Sequence, residues 1–572
     1  MIKYSLSLSF LLFSILLFAQ SNSVLLEGGT LIDVESKTIR PNMNILLEGG
    51  IIKTISKQPI SVSADTEKLQ LDGQFVLPGL IDAHIHLFQS GGLYTRPDAL
   101  DLRAYHPYEQ ERSWLKDNAG RLLKRYLRAG ITTVIDVGGP LANYAIRDQY
   151  NQDNQTPNVW LTGPLISTYQ PEAFQIEDPP IIKISSPEAA RAMVRKQLPY
   201  KPDLIKIWYI VRRGENPSTN YDIVKATIDE SHKNGLKVAV HATQLNTAKL
   251  AVKAGADILV HSVDDPIDQA FVRQLQTSKT VYVPTLVVHR KYLEVFSQNN
   301  NLSYDDFTLS DPTVVGSLFD LKHLPPQDML RQLKAGAAQR MAAEKSRDKT
   351  RKANLKKLAA AGITIASGTD AGNIGTLHAS SYLRELFDMR IAGMDNFSIL
   401  QASTINGAKV LGREAQIGSI KEGKRADLVI LSTNPVDNID HLQDVEYVIK
   451  DGQVLDPTTL LPDTPEDLAQ RQLNGYNARD IEAFLEPYSQ EVELYRFPDQ
   501  LMGKGRAYMR STYTKMFERT PNLHCELVNR IVQGNTVIDQ EKVTGFPNGK
   551  PLEAIAVYKI ENGKIAKVYF IQ

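Results

Sequence analysis

The stretch VLPGLIDAHIHLF, residues 76–88, is an apolar run that ends in two histidines separated by one residue. Side chains alternate between the two faces of a strand, so His84 and His86 are expected to point the same way. Two imidazoles on one face at the end of a strand can hold one metal ion. A pair of core or interface histidines would show the same spacing, because short histidine patterns have many false positives.

Seven further strand-like segments follow, and helix-like segments separate them. Several helical segments end in glycine directly before the next strand, as helix C-caps do. Eight β-then-α units predict an α/β fold, a (β/α)8 TIM barrel over residues 76–411, with its catalytic residues at the carboxyl ends of the strands. The seven segments are 131–139, 158–166, 203–211, 237–243, 257–263, 281–288 and 363–372.

The connection over about 290–362 is long and contains an Ala-, Lys- and Arg-rich helical segment, which we expect to cover part of the barrel mouth. Both flanks of the barrel carry short β-type runs between Gly, Asp and Asn turns. Their similar pattern predicts one composite β-sandwich domain from residues 24–75 and 412–458. Residues 464–572 contain helices followed by an antiparallel meander, which predicts a C-terminal α+β domain.

The composition fits a large globular chain: 572 residues, 42% hydrophobic and 23% charged, with a formal net charge of zero. This charge balance argues against a nucleic-acid partner.

Residues 1–19 have the pattern of a secretory signal peptide, which predicts export to the periplasm or the extracellular space and no stable membrane span after cleavage. The weakly charged start leaves an uncleaved membrane anchor as the alternative. The single cysteine, Cys525, excludes an intramolecular disulfide.

The ends of the predicted strands carry residues that suit metal chemistry. Neutral imidazoles and a carboxylate are suitable ligands for Zn²⁺ and similar divalent ions. A lysine beside cations is disfavoured as an ammonium, and as a neutral amine it could react with CO2 to form a carbamate that bridges two metals. An ordinary ion-paired lysine is the alternative. The strand-end residues are His84, His86, Lys206, His241, His261 and Asp370.

Six positions, in order and spacing, resemble the metal signature of the amidohydrolase superfamily. The motifs are LPGLIDAHIHLF, DLIKIW, VAVHA, LVHSV and SGTDAG, together with ASTINGAKVLG and IGSIKEGKRADLVIL, which lead out of the barrel. The resemblance covers about residues 24–458 and is closest to the branch that contains imidazolonepropionase-like and Xaa-Pro dipeptidase-like hydrolases.

The resemblance implies one or two divalent metal ions, with Zn²⁺ expected. His84 and His86 would bind the buried metal, and a carbamate on Lys206, derived from CO2, would bridge to the second. The second metal would be bound by the remaining histidines of the signature, His241 and His261. Asp370 would touch the first metal and act as general base and acid around a metal-activated hydroxide.

Candidate substrate-binding residues carry a weaker signal. His378 follows strand eight, and Tyr209 and Arg212 follow Lys206 at the expected mouth of the barrel. Arg212, or its neighbour Arg213, could bind a substrate carboxylate, although a solvated arginine is the common alternative. His289 follows strand seven with the same uncertainty of role.

The C-terminal residues 464–572 resemble SnoaL-like members of the nuclear transport factor 2-like fold, in which a curved sheet and helices enclose a cone. The match rests on YNARDIEAFLEPYSQEVEL and AIAVYKIENGKIAKVYFIQ. That fold hosts enzymes, ligand binders and dimerisation modules, so it does not settle a function. We expect a scaffold or dimerisation domain, and hence a homo-oligomer, with a ligand pocket or a second activity as alternatives.

The sequence therefore predicts an exported hydrolase of C–N bonds that acts on small amides, dipeptides or cyclic amides. A deaminase with one metal is an alternative, but the acid expected shortly after the histidine of strand five is replaced in HATQLN by Gln244. The same pattern also permits a lactone hydrolase on this barrel or a non-catalytic exported binding protein.

Overall fold

The computed structural model describes residues 23–212, 214–324 and 328–571. The predicted signal peptide, residues 1–19, and Arg213 lie outside the described residues, so both stay predictions. No helix within these described ranges combines the length and the apolar composition needed to cross a bilayer.

The amino-terminal flank begins with strands rich in Leu, Ile and Val. The five strands are β1 (Ser23–Asp33), β2 (Thr38–Glu48), β3 (Ile51–Ser56), β4 (Glu67–Gln70) and β5 (Phe75–Pro78). Gly79 is the only residue between β5 and the first strand of the central region, so the two regions are joined without a loop.

The central region contains nine short strands in two parallel sheets, in the orders β6-β7-β8 and β10-β9-β11-β12-β13-β14. Most residues of these strands are buried, as in parallel strands covered by helices, whereas Lys183 at the end of β10 is exposed. They are β6 (Leu80–Ile85), β7 (Ile131–Asp136), β8 (Asn158–Leu161), β9 (Leu165–Ser167), β10 (Ile181–Lys183), β11 (Ile205–Trp208), β12 (Val238–His241), β13 (Ile258–Val260) and β14 (Val281–Val283).

The predicted eighth strand lies between β14 and β6 but forms no regular ladder. Single-residue bridges join Ile365 to Tyr282 of β14 and Ala371 to Ile85 of β6. Between these bridges the Ser367 N–H donates to the Ala402 carbonyl at 3.0 Å, outside both neighbouring strands. The arrangement is an α/β fold of TIM-barrel type.

Within the described ranges, fourteen α-helices accompany these strands. Gly255 follows α5 with φ +107°, the C-cap that the sequence predicts. The helices are α1 (Tyr108–Arg128), α2 (Asn143–Tyr150), α3 (Pro187–Gln197), α4 (Tyr221–Lys233), α5 (Leu245–Ala254), α6 (Gln269–Ser278), α7 (Val288–Phe296), α8 (Tyr304–Thr308), α9 (Pro312–Ser317), α10 (Asp328–Ala335), α11 (Ala337–Ala360), α12 (Ser380–Ile391), α13 (Asn396–Ala402) and α14 (Ile405–Leu411).

Three predicted boundaries are wrong. The run 158–166 is two strands rather than one, because β8 ends at Leu161 and β9 begins at Leu165. The apolar run 281–288 is a strand only as far as Val283, because Pro284 cannot donate to a ladder and Val288 already begins α7. The long helical segment before residue 362 is two helices, and Gly336 separates α10 from α11.

Strands after the barrel complete the sheet that the amino-terminal flank begins. These are β15 (Leu428–Leu431), β16 (Val445–Lys450) and β17 (Gln453–Leu455), and the order is β17-β16-β15-β5-β1-β2-β3, with β4 beside β1. The antiparallel pairing of β15 with β5 joins the two flanks. A bridge between Ile51 and Arg425 brings β3 to the segment before β15, so the domain is one curled sheet rather than two separate layers.

The C-terminal domain is α+β, with three helices against one six-stranded sheet in the order β19-β18-β23-β22-β21-β20. Its Asn474 donates to the Pro312 carbonyl at 2.7 Å, and its Asp467 pairs with Arg121 at 2.7 Å, which tie the domain to the central region. The elements are α15 (Pro465–Ala478), α16 (Ile481–Leu485), β18 (Tyr488–Arg496), β19 (Gln500–Lys504), α17 (Gly505–Arg519), β20 (His524–Gln533), β21 (Thr536–Thr544), β22 (Leu552–Glu561) and β23 (Lys564–Ile571).

Candidate metal centre

The two histidines of the opening stretch meet an aspartate at the carboxyl end of β6. Asp370 Oδ1 lies 3.4 Å from His84 Nε2 and 3.0 Å from His86 Nε2. One ligand atom from each of the three residues can be chosen so that all lie within 4.8 Å of one another, and all three residues are buried. This separation allows a single ion to contact all three.

Neighbouring strands bring the other predicted ligands to the same place. The imidazole centroids of His84 and His261 are 4.8 Å apart, and those of His261 and His241 are 4.3 Å apart. Lys206 lies two residues before the end of β11, and one cavity is lined by Lys206, His241, His261, His86 and Asp370. The structure therefore gathers all six residues that the sequence singles out.

Hydrogen bonds fix the orientation of two imidazoles. His86 Nδ1 donates to the Gly138 carbonyl at 2.9 Å, which leaves the lone pair of Nε2 facing Asp370. His261 Nδ1 lies 2.8 Å from Thr285 Oγ1. A second partner on the far nitrogen is the usual way in which a protein orients a metal-binding histidine.

Several polar atoms at this centre are buried without a hydrogen-bond partner among the described residues. They are both ring nitrogens of His84, Lys206 Nζ and Asp370 Oδ1. A buried polar atom without a partner costs free energy, about 1–3 kcal/mol for each group. A divalent cation among these nitrogens and oxygens would satisfy them, so the residues present fit a metal ion.

The electrostatics favour ligand forms of the side chains. Burial, with a smaller contribution from nearby Lys206, lowers the pKa of His84 well below its usual value. Burial likewise lowers the pKa of His241 and of His261, so all three imidazoles are neutral at pH 7 and can donate lone pairs. Burial also lowers the pKa of Lys206 to about 7, which makes its neutral amine accessible.

The backbone around Asp370 is held in an unusual conformation. Asp370 has φ +61° and His261 has φ +77°, in the left-handed region that non-glycine residues rarely adopt. The Asp370 N–H donates to the His84 carbonyl at 2.7 Å. Just before it, Thr369 donates to the buried carboxyl of Asp82 from both N and Oγ1, at 3.1 and 2.7 Å. Asp82 thus connects β6 to the turn that presents Asp370.

Sequence reasoning assigned no role to Asp82, although an acid inside an apolar strand was a visible signal. Burial raises the pKa of Asp82 to about 7. Its hydrogen bonds to Thr369 indicate that it positions the Asp370 turn.

The cavity in front of the centre holds about 170 Å³ of open space. Besides the ligands, its wall includes Arg96, Tyr292 and Asn373, which sequence reasoning missed, and His289. Arg96 donates to Tyr292 at 3.0 Å and to Asn373 at 2.5 Å, and Nε and Nη2 both bond Asp98. Because four donors of the guanidinium are in use, Arg96 holds the wall together.

The three predicted substrate-binding residues lie elsewhere. Both ring nitrogens of His378 are engaged, with Tyr126 Oη at 2.8 Å and the Gln89 carbonyl at 2.7 Å. Tyr209 is buried, and its hydroxyl donates to the Pro217 carbonyl at 2.5 Å. Arg212 stacks on Tyr169 with its guanidinium carbon 4.0 Å from the ring centroid. None of the three lines the cavity at the metal centre within the described part of the chain.

Comparison with known families agrees with this geometry. The model of the amidohydrolase family matches residues 75–455, more than half of the chain. The chain belongs to the amidohydrolase family. In this amidohydrolase, residues 469–568 match a second family, the SnoaL-like domain. Both predicted resemblances are therefore confirmed.

Relatives of the amidohydrolase match it over different lengths. A dihydroorotase of Syntrophus aciditrophicus (strain SB) is 42% identical over 71 residues, 12% of this chain and 16% of that relative. A 5-methylthioadenosine/S-adenosylhomocysteine deaminase of Carboxydothermus hydrogenoformans is 33% identical over 122 residues, 18% of this chain and 28% of the relative. An uncharacterized protein of Mycobacterium tuberculosis is 25% identical over 413 residues, 70% of this chain and 90% of that protein. The first two matches thus span only a small part of each relative.

Solved structures resemble a larger part of the amidohydrolase. A Xaa-Pro dipeptidase with methionine bound in its active site is 26% identical with a TM-score of 0.59, and covers 76% of this chain and 100% of its own. The ochratoxinase of A. niger, 20% identical with a TM-score of 0.58, covers 76% of this chain and 96% of its own and shares the fold. Family membership, together with the similarity to this Xaa-Pro dipeptidase, supports a hydrolase that acts on C–N bonds.

Proposed function

We propose that this amidohydrolase is a metal-dependent hydrolase of the C–N bond in small amides or dipeptides. The observation that carries the proposal is the buried group of His84, His86 and Asp370. Its unpartnered atoms adjoin a cavity of about 170 Å³, which has room for the reacting part of one small substrate.

One or two divalent ions, with Zn²⁺ the expected metal, belong to this proposal. His84, His86 and Asp370 would hold the first ion. His241 and His261 would hold the second, together with Lys206 as a carbamate formed with CO2. A bound ion would polarise the scissile carbonyl and lower the pKa of a water molecule.

Asp370 is proposed to move the proton. Its Oδ1 faces His84 and His86, while its Oδ2 lies 3.7 Å from His261 Nδ1. The carboxylate accepts the proton of the attacking water and donates it to the leaving nitrogen, so the amine departs neutral. The Asp82–Thr369 hydrogen bonds fix the turn that carries this carboxylate.

The cavity wall indicates what kind of substrate fits. Phe88, Trp208 and Leu165 provide apolar surface, and two buried polar atoms without partners, Gln89 Oε1 and His289 Nε2, belong to side chains of the same wall. A substrate with an apolar side chain and a nearby amide would bury the apolar surface, and the amide N–H could donate to Gln89 Oε1 while its carbonyl accepts from the Nε2–H tautomer of His289.

Deamination of a nucleobase-like ring is disfavoured by the same wall. Asp370 is the one carboxyl that lines the cavity within the described ranges, and it is already assigned to the reacting water. Protonation of a ring nitrogen would need a second acid. The dipeptide or amide substrate therefore remains the better match.

The experiment measures amine release from a panel of dipeptides and N-acyl amino acids by the Zn²⁺-loaded protein. Release is expected to stop with a chelator and to return with Zn²⁺. Asp370→Asn is expected to lower kcat by about 100-fold or more, the range of general acid–base catalysis. Asp229→Asn removes an exposed acid on α4 and is the matched control, with unchanged kcat. Chelator-resistant release, or full activity of Asp370→Asn, would contradict the proposal.

A further inference from the structure

The C-terminal domain encloses a second cavity, of about 280 Å³, between its helices and one face of its sheet. Aromatic side chains form much of the wall, among them Phe484, Tyr513 and Phe570. At about 30 Å³ for each molecule in liquid water, the space equals about nine waters. The proposed hydrolysis uses none of these residues, so the cavity needs its own explanation.

A directed chain of hydrogen bonds crosses this cavity wall. Tyr488 Oη donates to Gln472 Oε1 at 3.1 Å, and Gln472 Nε2 donates to Tyr558 Oη at 2.9 Å. Tyr558 Oη then donates to Glu541 Oε1 at 2.9 Å. Each of the three hydrogen bonds is donated in the direction of Glu541, so this hydrogen-bond series ends on a carboxylate acceptor.

The Glu541 carboxyl has no cation of its own. It is 9% exposed and lines the cavity, and within the described residues no lysine, arginine or histidine forms an ion pair with it. The nearby Arg530 is instead committed to Asp539, with two contacts of 2.7 Å. Burial raises the pKa of Glu541 to about 7, so an entering cation would find a carboxyl that ionises readily at neutral pH.

We propose that this cavity binds an amine, a small molecule with an apolar body of about the size of one aromatic ring and one ammonium group. The body packs against the aromatic wall, and the ammonium donates to Glu541 while it faces the electron-rich ring faces. An anionic ligand would place a second negative charge beside Glu541. A neutral ligand would leave the charge of an ionised Glu541 without a counter-ion. The proposal does not depend on the proposed function.

The test titrates the intact protein at pH 8 with three probes by isothermal titration calorimetry. The probes are 2-phenylethylamine, neutral 2-phenylethanol and anionic 3-phenylpropionate. The amine is expected to bind saturably and at least tenfold more tightly than the other two. Its affinity is expected to fall as the pH decreases through 7, because the Glu541 carboxyl then takes up a proton.

Variants locate the binding. Glu541→Gln keeps an acceptor for Tyr558 and is expected to weaken amine binding at least tenfold. Glu553→Gln removes a negative charge from an exposed position of the same sheet, and this variant is expected to bind the amine with unchanged affinity. Ala554→Phe fills the cavity with the carboxyl intact and should abolish binding, whereas Asp370→Asn at the metal centre should not alter it. Absent binding, equal affinity for amine and alcohol, or unchanged affinity in Glu541→Gln would overturn the proposal.

Discussion

At the scale of single residues, the metal centre is defined by atoms that need a partner. Lys206 is 1% exposed, and its Nζ has no hydrogen-bond partner among the described residues. A lysine ammonium would leave three donors unpaired here, whereas a carbamate would turn the same side chain into an anion that two metals can share. We therefore propose the carbamate as the form of Lys206 in the metal-loaded protein.

Lys206→Met keeps the apolar stem and removes the amine. We expect the variant to retain less metal per chain than the unaltered protein after dialysis, because the proposed bridging ligand is lost. Elemental analysis measures the metal. Lys196→Met, at an exposed position on α3, is the control. Unchanged metal content in Lys206→Met would remove the proposed bridging role.

The residues found from the sequence are those whose positions follow from strand geometry. His84 and His86 share a face because the side-chain repeat of a strand is two residues. Arg96 and Asn373 lie in two different loops, where no repeat fixes the direction of a side chain. Arg96 is in the loop after β6 and Asn373 is in the turn after Asp370, and a hydrogen bond joins the two side chains at the cavity. Tyr209 and Arg212 were expected at the mouth for their distance from Lys206, but distance along the chain does not determine the direction of a side chain.

At the scale of elements, the segment over 363–372 shows why the sequence and the structure differ. Its apolar residues predict a strand, and it does lie between β14 and β6. The ladder is interrupted because Ser367 bonds to Ala402 and because Asp370 adopts a positive φ. Hydrophobic patterning locates such a segment but cannot show that its backbone is diverted to present a carboxylate. The Gly, Thr and Asp of SGTDAG were the available signal.

Gly372→Ala tests how tightly this turn is packed. Gly372 has φ +105°, and an added Cβ would lie 2.5 Å from the His86 carbonyl oxygen and 2.8 Å from that of Gln89. We expect a loss of more than about 1 kcal/mol in the free energy of unfolding and a decrease in kcat, because the turn that carries Asp370 must shift. Chemical denaturation and amine release measure the two effects.

Gly362→Ala is the matched control for this substitution. Gly362 also has a positive φ, +71°, but no atom lies within 4 Å of an added Cβ. Gly362→Ala therefore forces an alanine into a positive φ without a steric overlap of its Cβ. We expect kcat to stay unchanged in this variant. If both variants lost activity equally, the close packing around Gly372 would not be the cause.

At the scale of the whole molecule, the outer face of the C-terminal sheet carries a patch of apolar side chains among charged ones. Ile555 and Ile571 are paired across β22 and β23, and each is 37% exposed. A neighbouring row runs from Ile531, 55% exposed, through Ile538 and Val557. Exposed apolar residues that adjoin across several strands mark interaction surfaces. We propose that two copies of the chain pack through this face.

Ile555→Asp should separate such a dimer, because a carboxylate buried in an apolar interface has no partner. Light scattering after size exclusion would report a dimer for the unaltered protein and a monomer for the variant. Stability of the monomer should change by about 0.5 kcal/mol or less, as is usual at exposed positions. Ile391→Asp, at a remote 53% exposed site in α12, should remain dimeric. A monomeric unaltered protein would exclude this interface.

The pattern of short strands on both flanks predicts a shared β domain, and β15 of the second flank pairs with β5 of the first. The form of this domain was not readable, because the choice between two layers and one curled sheet depends on the Ile51–Arg425 bridge. That contact joins residues that no local pattern relates. Assembly of copies is equally invisible in a single sequence.

The curled sheet also dictates an order of events during synthesis. β5 pairs with β15, yet the ribosome must produce the entire barrel before Leu428 exists. Until then one edge of the amino-terminal strands stays open, and open edges invite wrong pairing. Long-range strand contacts form late, because the intervening chain must first be brought together. The pairing of β5 with β15 can therefore form only after the ribosome has synthesised all residues of the barrel.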